Sequence, residues 1–424
     1  MSDREPSAAE EQIVDDLDNV LPGGIDRRKF LHGSLSSLGA MMLAGCTGGG
    51  GSQETTTTDE GTTAGGGGTT TAGGGSFTDE TNAVFTTPWK KEPSWGHAHV
   101  AEGRGYWADE GVPNIDGVRG NGSDTEAQNI GVGNKPMGIS SLTTALSVYP
   151  ETQDTEALDM SIVGLARGRP LLSLIWRKDQ MQDRSDIAGK TILAASGFAA
   201  ATSEVYPNLV GVDPSEVTIE EGTEEVAAPR LANNEVQAIW GSIDLYPTYQ
   251  EQVDAELGVT PLTAFGAFPG FPIWVNDNWY ENKENNVEFM SHVLTGYFKA
   301  MKWGLLNQSE YLDYLKSEVN PNLRTWTEGE LVGQHSVNCA QAVTLAMQDN
   351  GLGYFTEDDI SFVLDNAASA LVDNPDALPS ASDLVDRRAY EQSEKVTFTD
   401  QEWNQLAENA GEIWGIFEQA ESGN

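Results

Sequence analysis

The chain is poor in positive charge. Its 424 residues carry 24 Lys and Arg against 65 Asp and Glu, a formal net charge of −41 at pH 7. That imbalance argues against a nucleic-acid partner, because a phosphate backbone must be met by clustered bases that are not here. Self-repulsion on this scale is tolerated where salt screens it to within a few ångströms, so the composition fits a surface built for concentrated salt. Cysteine is scarce too. Only Cys46 and Cys339 occur, which leaves no disulfide framework. Long apolar runs are missing, and the weakly polar stretch Leu31–Leu43 falls well short of the ~18–20 residues that span a bilayer.

That stretch has informative flanks. Asp26-Arg27-Arg28-Lys29-Phe30-Leu31 precedes it and Leu43-Ala44-Gly45-Cys46 follows it. The pair of motifs, in this order, resembles the twin-arginine signals of bacterial and archaeal lipoproteins, here of halophilic archaeal type. The resemblance implies that residues 1–45 are a signal peptide with an acidic leader, that Cys46 becomes the first mature residue and takes a lipid, and that the protein is held on the outer face of the cell membrane. Residues 47–76 are nearly all Gly, Thr, Ser and Ala with a few acids. They offer no apolar surface to offset chain entropy, so residues 46–81 are expected to form a lipid-bearing stalk.

From residue 82 short apolar runs alternate with amphipathic stretches. The pattern predicts strands at Ala83–Thr87, Asp116–Arg119 and Pro136–Ser140, with helices over Trp95–Glu110 and Asp124–Gly133 and another from Ser141. It restarts with strands at Ser161–Leu165, Leu171–Trp176, Thr191–Ala195, Val217–Glu220 and Gln237–Gly241. Helices are expected between them at Ala199–Val210 and Glu224–Ala232, and after them at Asp244–Glu256. One more strand, Phe271–Asn276, leads into five helical stretches: Tyr280–Asn307, Ser309–Val319, Glu328–Asp349, Glu357–Asn374 and Asp400–Glu421. Alternating order of this kind is the mark of an α/β fold with largely parallel sheets. Two units in series suggest two lobes, lobe one from 82–170 and 266–424 and lobe two from 171–265.

The run from Trp89 to Val112 has a recognisable order: Trp89, a proline loop, Trp95, Val100-Ala101, Arg104-Gly105-Tyr106-Trp107 and Glu110-Gly111-Val112. Asn121-Gly122-Ser123, Asp186-Ile187-Ala188-Gly189-Lys190 and Gly211-Val212-Asp213-Pro214 follow in sequence. Together these segments resemble the NMT1/THI5-like substrate-binding proteins of nitrate, sulfonate, taurine and thiamine-pyrimidine importers. The resemblance implies a two-lobed, periplasmic-binding-protein-like (type 2) fold, here with an extended helical C-terminal region. It also implies a monomer that captures a small anion or heterocycle and delivers it to an ABC permease and ATPase. A histidine of the family is replaced by Trp95, and His97 and His99 are out of register with it.

In such a fold the ligand sits at the carboxyl ends of strands, where small residues let it approach the backbone. The candidates are Ser140 and Ser141, then Ser196-Gly197-Phe198, then Trp240 with Asp244. Trp89 and Trp95 add aromatic surface suited to a planar ligand, and core packing is the competing reading for Trp240 and Trp274. An oxyanion would call for a cation instead, with Lys90, Arg167, Arg169 and Arg230 as candidates that otherwise read as solvated surface. His335 and Cys339 are four apart on a predicted helix, a spacing open to a Cys–His nucleophile or half a metal site, but the apolar residues around them fit a buried structural cysteine. No catalytic residue, metal or cofactor is expected. A ligand-sensing surface lipoprotein without a transport role, or a pyrimidine-biosynthesis-type enzyme, is the alternative.

Overall fold

The computed structural model describes residues 83–150, 157–196, 199–200, 202–281 and 285–422. Cys46, the twin-arginine motif, the stalk, Gly197 and Phe198 lie outside the described residues.

Ten strands build two five-stranded sheets. The first contains β1 (Ala83–Thr86), β2 (Ile115–Val118), β3 (Met137–Ile139), β4 (Met160–Arg167) and β10 (Phe271–Asn276), in the order β2-β1-β3-β10-β4. The second contains β5 (Leu172–Arg177), β6 (Thr191–Ala194), β7 (Thr218–Glu221), β8 (Ala238–Ser242) and β9 (Leu257–Pro261), in the order β7-β6-β8-β5-β9. β2, β1 and β3 are mutually parallel, as are β7, β6 and β8. β10 and β5 run against both their neighbours. The sheets are therefore mixed rather than largely parallel. The reason is connectivity: the strands that enter each sheet from the other one, β5 after Gly168–Leu171 and β10 after Leu262–Gly270, come in from the edge at which their parallel neighbours end.

That geometry aligns one edge of each sheet. The carboxyl ends of β1, β3 and β4 lie beside the start of β10, and those of β6, β8 and β9 beside the start of β5. β4 and β10 are buried along their whole length, as expected of strands covered on both faces.

The helices that matter for the site are α1 (His97–Gly103), α2 (Leu142–Val148), α3 (Val205–Leu209), α4 (Asn286–Leu306), α5 (Glu328–Ala342), α6 (Glu357–Leu371), α7 (Asp400–Ala410) and α8 (Glu412–Ser422). α5, α6 and α7 each open with a capping box, Thr327 with Glu330, Thr356 with Asp359 and Thr399 with Glu402, so their first free N–H groups are satisfied by side chains. The helix expected over Trp95–Glu110 is interrupted at Gly105, whose φ of 80° no helical residue adopts, and the stretch from Asp400 is cut in two at Gly411 with φ 63°. Such angles are readily adopted only by glycine. The stretch expected as a helix from Asp244 is a 3-10 turn, Ile243–Leu245, followed by the helix Tyr246–Gln252, and strand β9 follows it unforeseen.

The C-terminal helices bridge elements of both sheets. α5 packs on the 3-10 turn Pro93–Trp95, on β4 and on the turn Ile243–Leu245, and α6 lies against α2 and α3. α8 returns to β9, to the turn Leu262–Ala264 and to α5.

Candidate functional site

At the carboxyl end of β4 the chain buries a cation. Arg167 is 3 % exposed. Its guanidinium lies over the Trp95 ring, 3.6 Å from the centroid, and Trp95 in turn meets Phe271 edge-on at 4.8 Å. Nη1 donates to Gln341 Oε1 at 2.8 Å and Nη2 to the Ser94 carbonyl at 2.5 Å. Both acceptors are neutral. Among the described residues no carboxylate is within ion-pair distance of Arg167. Burial lowers this guanidinium to about 10, while Tyr297, Tyr311 and Asp244 pull it back up, so it stays charged at neutral pH. A buried charge without a hydrogen-bonded counter-charge is costly, and such groups gather where ligands of opposite sign bind.

Asp244 faces this charge from the second sheet, on the turn that follows β8. Burial raises its carboxyl above the ordinary range, against the lowering effects of the Ser242 side chain, its own backbone N–H and Arg167. Its Oδ1 is out of contact with solvent and has no hydrogen-bond partner. The Tyr249 hydroxyl and Gln341 Nε2 are also buried without partners. Elements from both sheets thus bring Ser94, Trp95, Arg167, Asp244 and Gln341 to one place, where Gln341 Nε2 is an unmet donor and Asp244 Oδ1 an unmet acceptor.

The other expected residues are distributed as follows. Ser140 and Ser141 are buried at the end of β3, beside the start of β10. Their polar groups have internal partners: Ser140 Oγ donates to the Ser123 carbonyl at 2.7 Å, Ser141 N donates to Ser123 Oγ at 3.2 Å, and the Ser141 and Thr143 hydroxyls are 3.2 Å apart. Ser196 Oγ accepts from Ala199 N at 3.1 Å and so opens the helical turn after β6. Trp240 is placed in the core: it is 1 % exposed, packs against Tyr206 and donates from Nε1 to Thr202 Oγ1. Trp274 is likewise core, its Nε1 donating to the Ser140 carbonyl. Trp89 is 43 % exposed, with the Lys90 ammonium 5.4 Å from its ring centroid.

Among the four basic candidates, Arg167 and Arg169 are interior rather than solvated. Arg169 is fully buried and forms a two-pronged ion pair with Glu421, Nε to Oε1 at 2.5 Å and Nη2 to Oε2 at 2.9 Å. Arg230 is spoken for by Glu220 and Glu235. Their place at a strand end close to the crossing between lobes set Arg167 and Arg169 apart from the other two as cations that could face the cleft, but no sequence signal chose between them, and Gln341 was missed because its helix reads only as a packed face.

His335 and Cys339 sit together, Nδ1 3.5 Å from Sγ, but both are buried. His335 Nε2 is held by the Gly304 carbonyl at 2.8 Å, and burial pushes the Cys339 thiol far up. A thiol that resists ionisation is a poor nucleophile. His97 is held by Asn338 Nδ2 at 2.8 Å and stacks on Tyr311. Burial takes its imidazole down to about 3 and that of His99 to about 4. Among the described residues no group of His, Cys, Asp and Glu is arranged to hold a metal ion, and no helix is long and apolar enough to cross a membrane.

A cavity of about 480 Å³ lies against the two segments that connect the sheets and is lined by Leu165, Gly168, Phe265, Phe268, Tyr354 and Glu421 among others, with no residue of this cluster in its lining.

Residues 93–303 match the family model described as NMT1/THI5 like. No curated protein matches by sequence. Among solved structures, the periplasmic aliphatic sulphonate binding protein SsuA from Escherichia coli superposes with a TM-score of 0.50 at 11 % identity, covering 76 % of this chain and 96 % of that one. A putative sulfonate ABC transporter's periplasmic sulfonate-binding protein SsuA from Methylobacillus flagellatus gives 0.52 at 13 % identity, covering 73 % and 93 %. The fold is thus the two-lobed periplasmic-binding-protein type, extended by helices at its C-terminal end.

Proposed function

We propose, from the NMT1/THI5-like domain that the chain carries across residues 93–303, that this protein is the extracytoplasmic solute-binding component of an ABC importer and that its ligand is a small anion. The single observation that supports the anion is Arg167, a buried guanidinium met only by neutral acceptors. An oxyanion between the sheets would supply the missing charge and accept from the remaining guanidinium N–H groups. The heterocycle reading has less support, because the Trp95 face on which a ring would stack is covered by Arg167. Trp89, exposed and beside Lys90, is at most a rim contact. In this reading lobe one is 82–170 with 266–424, lobe two is 171–265, and closure about the two connecting segments traps the solute. Cys46 and the stalk tether the receptor near its permease. A sensing role without transport uses the same binding step and differs only in the partner.

The test is a thermal-shift screen of the purified protein at fixed high salt against nitrate, taurine, alkanesulfonates, bicarbonate and aminopyrimidines. An anion of this set is expected to raise Tm, and Arg167→Met to weaken its binding roughly 100-fold, the equivalent of about 3 kcal/mol for lost charge-assisted bonds. Stabilisation by aminopyrimidines alone overturns the anion assignment.

A further inference from the structure

We infer that Gln341, on a helix beyond the family-matched domain, is a ligand contact that sets which anions the site accepts; this rests on the anion reading above. Gln341 is completely buried. Its helix, α5, reaches β4, the turn Pro93–Trp95 and the turn Ile243–Leu245 of the second sheet, so it touches the elements that carry Arg167 and Asp244.

The orientation of the amide follows from its neighbour. A guanidinium has donors only, so the 2.8 Å bond from Arg167 Nη1 fixes Oε1 as the atom on Arg167 and leaves Nε2 as the free end of the amide. The backbone of the same residue is pinned as well, its carbonyl accepting from Arg169 N at 3.0 Å. Nε2 is left buried with no partner among the described residues. Native interiors rarely leave a donor unmet, and where they do a ligand or water is the usual partner. An apolar side chain of similar size would avoid that cost, and a glutamate would give Arg167 its counter-charge. Glutamine does neither. What it supplies is one polarised acceptor to hold Arg167 in place and one free N–H pair beside it. Those donors fit an anion with two or more oxygens on one centre, one oxygen on the guanidinium and the next on the amide. A monatomic anion such as chloride satisfies the first donor and leaves the second unmet, which gives the site a means of selecting an oxyanion against the halide of a saline medium.

The full chain is tested by calorimetric titration with ethanesulfonate, nitrate and bicarbonate, each with and without competing chloride, in wild type, Gln341→Glu and Gln341→Met. Gln341→Glu pairs internally with Arg167 and is expected to lose oxyanion binding by at least 100-fold while the unliganded protein melts at the same temperature or higher. Gln341→Met keeps the volume without the donors. It is expected to bind the oxyanion about 10-fold more weakly and to lose discrimination against chloride. Wild-type affinity and selectivity in Gln341→Met, or in a folded Gln341→Glu, overturn the inference while leaving Arg167 as the anion site. Failure of the wild type to bind any of the three anions overturns the anion reading itself, and the inference with it.

Discussion

At the scale of single residues the protein keeps polar and charged groups inside, and their protonation is set mainly by burial. His97 illustrates the consequence. Its imidazole is taken from 6.5 to about 3 in the folded protein, and that of His99 to about 4. The unfolded chain therefore gains protons at these sites as pH falls below about 6.5, while the folded one does so only near 3 to 4. Stability that is fully present above about 6.5 is lost progressively across that window. Asp277 works the other way, because burial raises its carboxyl to about 6, so its contribution is present below 3.8 and lost as pH rises through 6. His335 is lowered by burial as well, and Asp244, Glu92 and Glu224 are raised, so the two sets oppose each other. His97→Gln is expected to make stability fall less toward acid than in the wild type in urea unfolding between about pH 4 and pH 7 in high salt, and an unchanged pH dependence would remove His97 from the account.

Part of the site could be read from sequence and part could not. Small or acidic residues just after an apolar run mark strand ends, and Ser140, Ser141, Ser196 and Asp244 do lie there; the three serines are met by internal partners, and only Asp244 falls in the cluster around Arg167. Arg167 was in view as a strand-end cation but not told apart from Arg169, since its burial depends on a ring far away in the chain, Trp95, that sequence gives no means of pairing with it. Trp240 shows the converse: a tryptophan ending a strand looks the same whether it faces a ligand or, as here, packs on Tyr206.

At the scale of elements the informative part is the C-terminal pair α7 and α8. Trp403, Leu406, Ile413, Trp414 and Phe417 recur at helical spacing, the pattern of a packed face, and all five are buried. The break between the helices was hidden because Gly411 is a glycine among helix formers, and only its backbone angle separates it from a tolerated one. What α8 packs against was not legible at all. Arg169, on the segment joining β4 to β5, lies near the rings of Trp414 and Phe417 and pairs with Glu421 in the last turn of α8. Glu421 Oε2 also accepts from Leu345 N at 3.0 Å. Removing one member of such a pair leaves the other as a buried, uncompensated charge. Glu421→Gln is accordingly expected to cost about 3 kcal/mol in denaturant unfolding, and adding Arg169→Met to recover a good part of it. Equal losses in the single and double variants would mean that packing of α8, and not the charge pair, supplies the stability.

At the scale of the whole molecule, the two sheets share one topology and the surface carries one sign of charge. A net charge of −41 with only 24 bases means that few surface carboxylates have a partner. Screening is then a requirement for the compact state. Since the Debye length falls from about 10 Å at 0.1 M to about 3 Å at 1 M, Tm is expected to rise by several degrees over that range of KCl, and most of the gain should come below 1 M. A Tm independent of KCl would remove the link between acidity and environment. The α/β class and the element order were readable because hydrophobic periodicity is local; the mixed strand directions were not, because β10 and β5 owe their orientation to where the chain re-enters each sheet.

The pairing of Arg169 with Glu421 also has a bearing on the order of synthesis. Arg169 and its counter-charge are 252 residues apart in the chain, and β10 cannot complete the first sheet until the second has been translated. A nascent chain therefore carries an unfinished first sheet until Asn276 is made and an unpaired interior charge until Glu421 is made, so neither sheet and its helices can be completed as a separate piece.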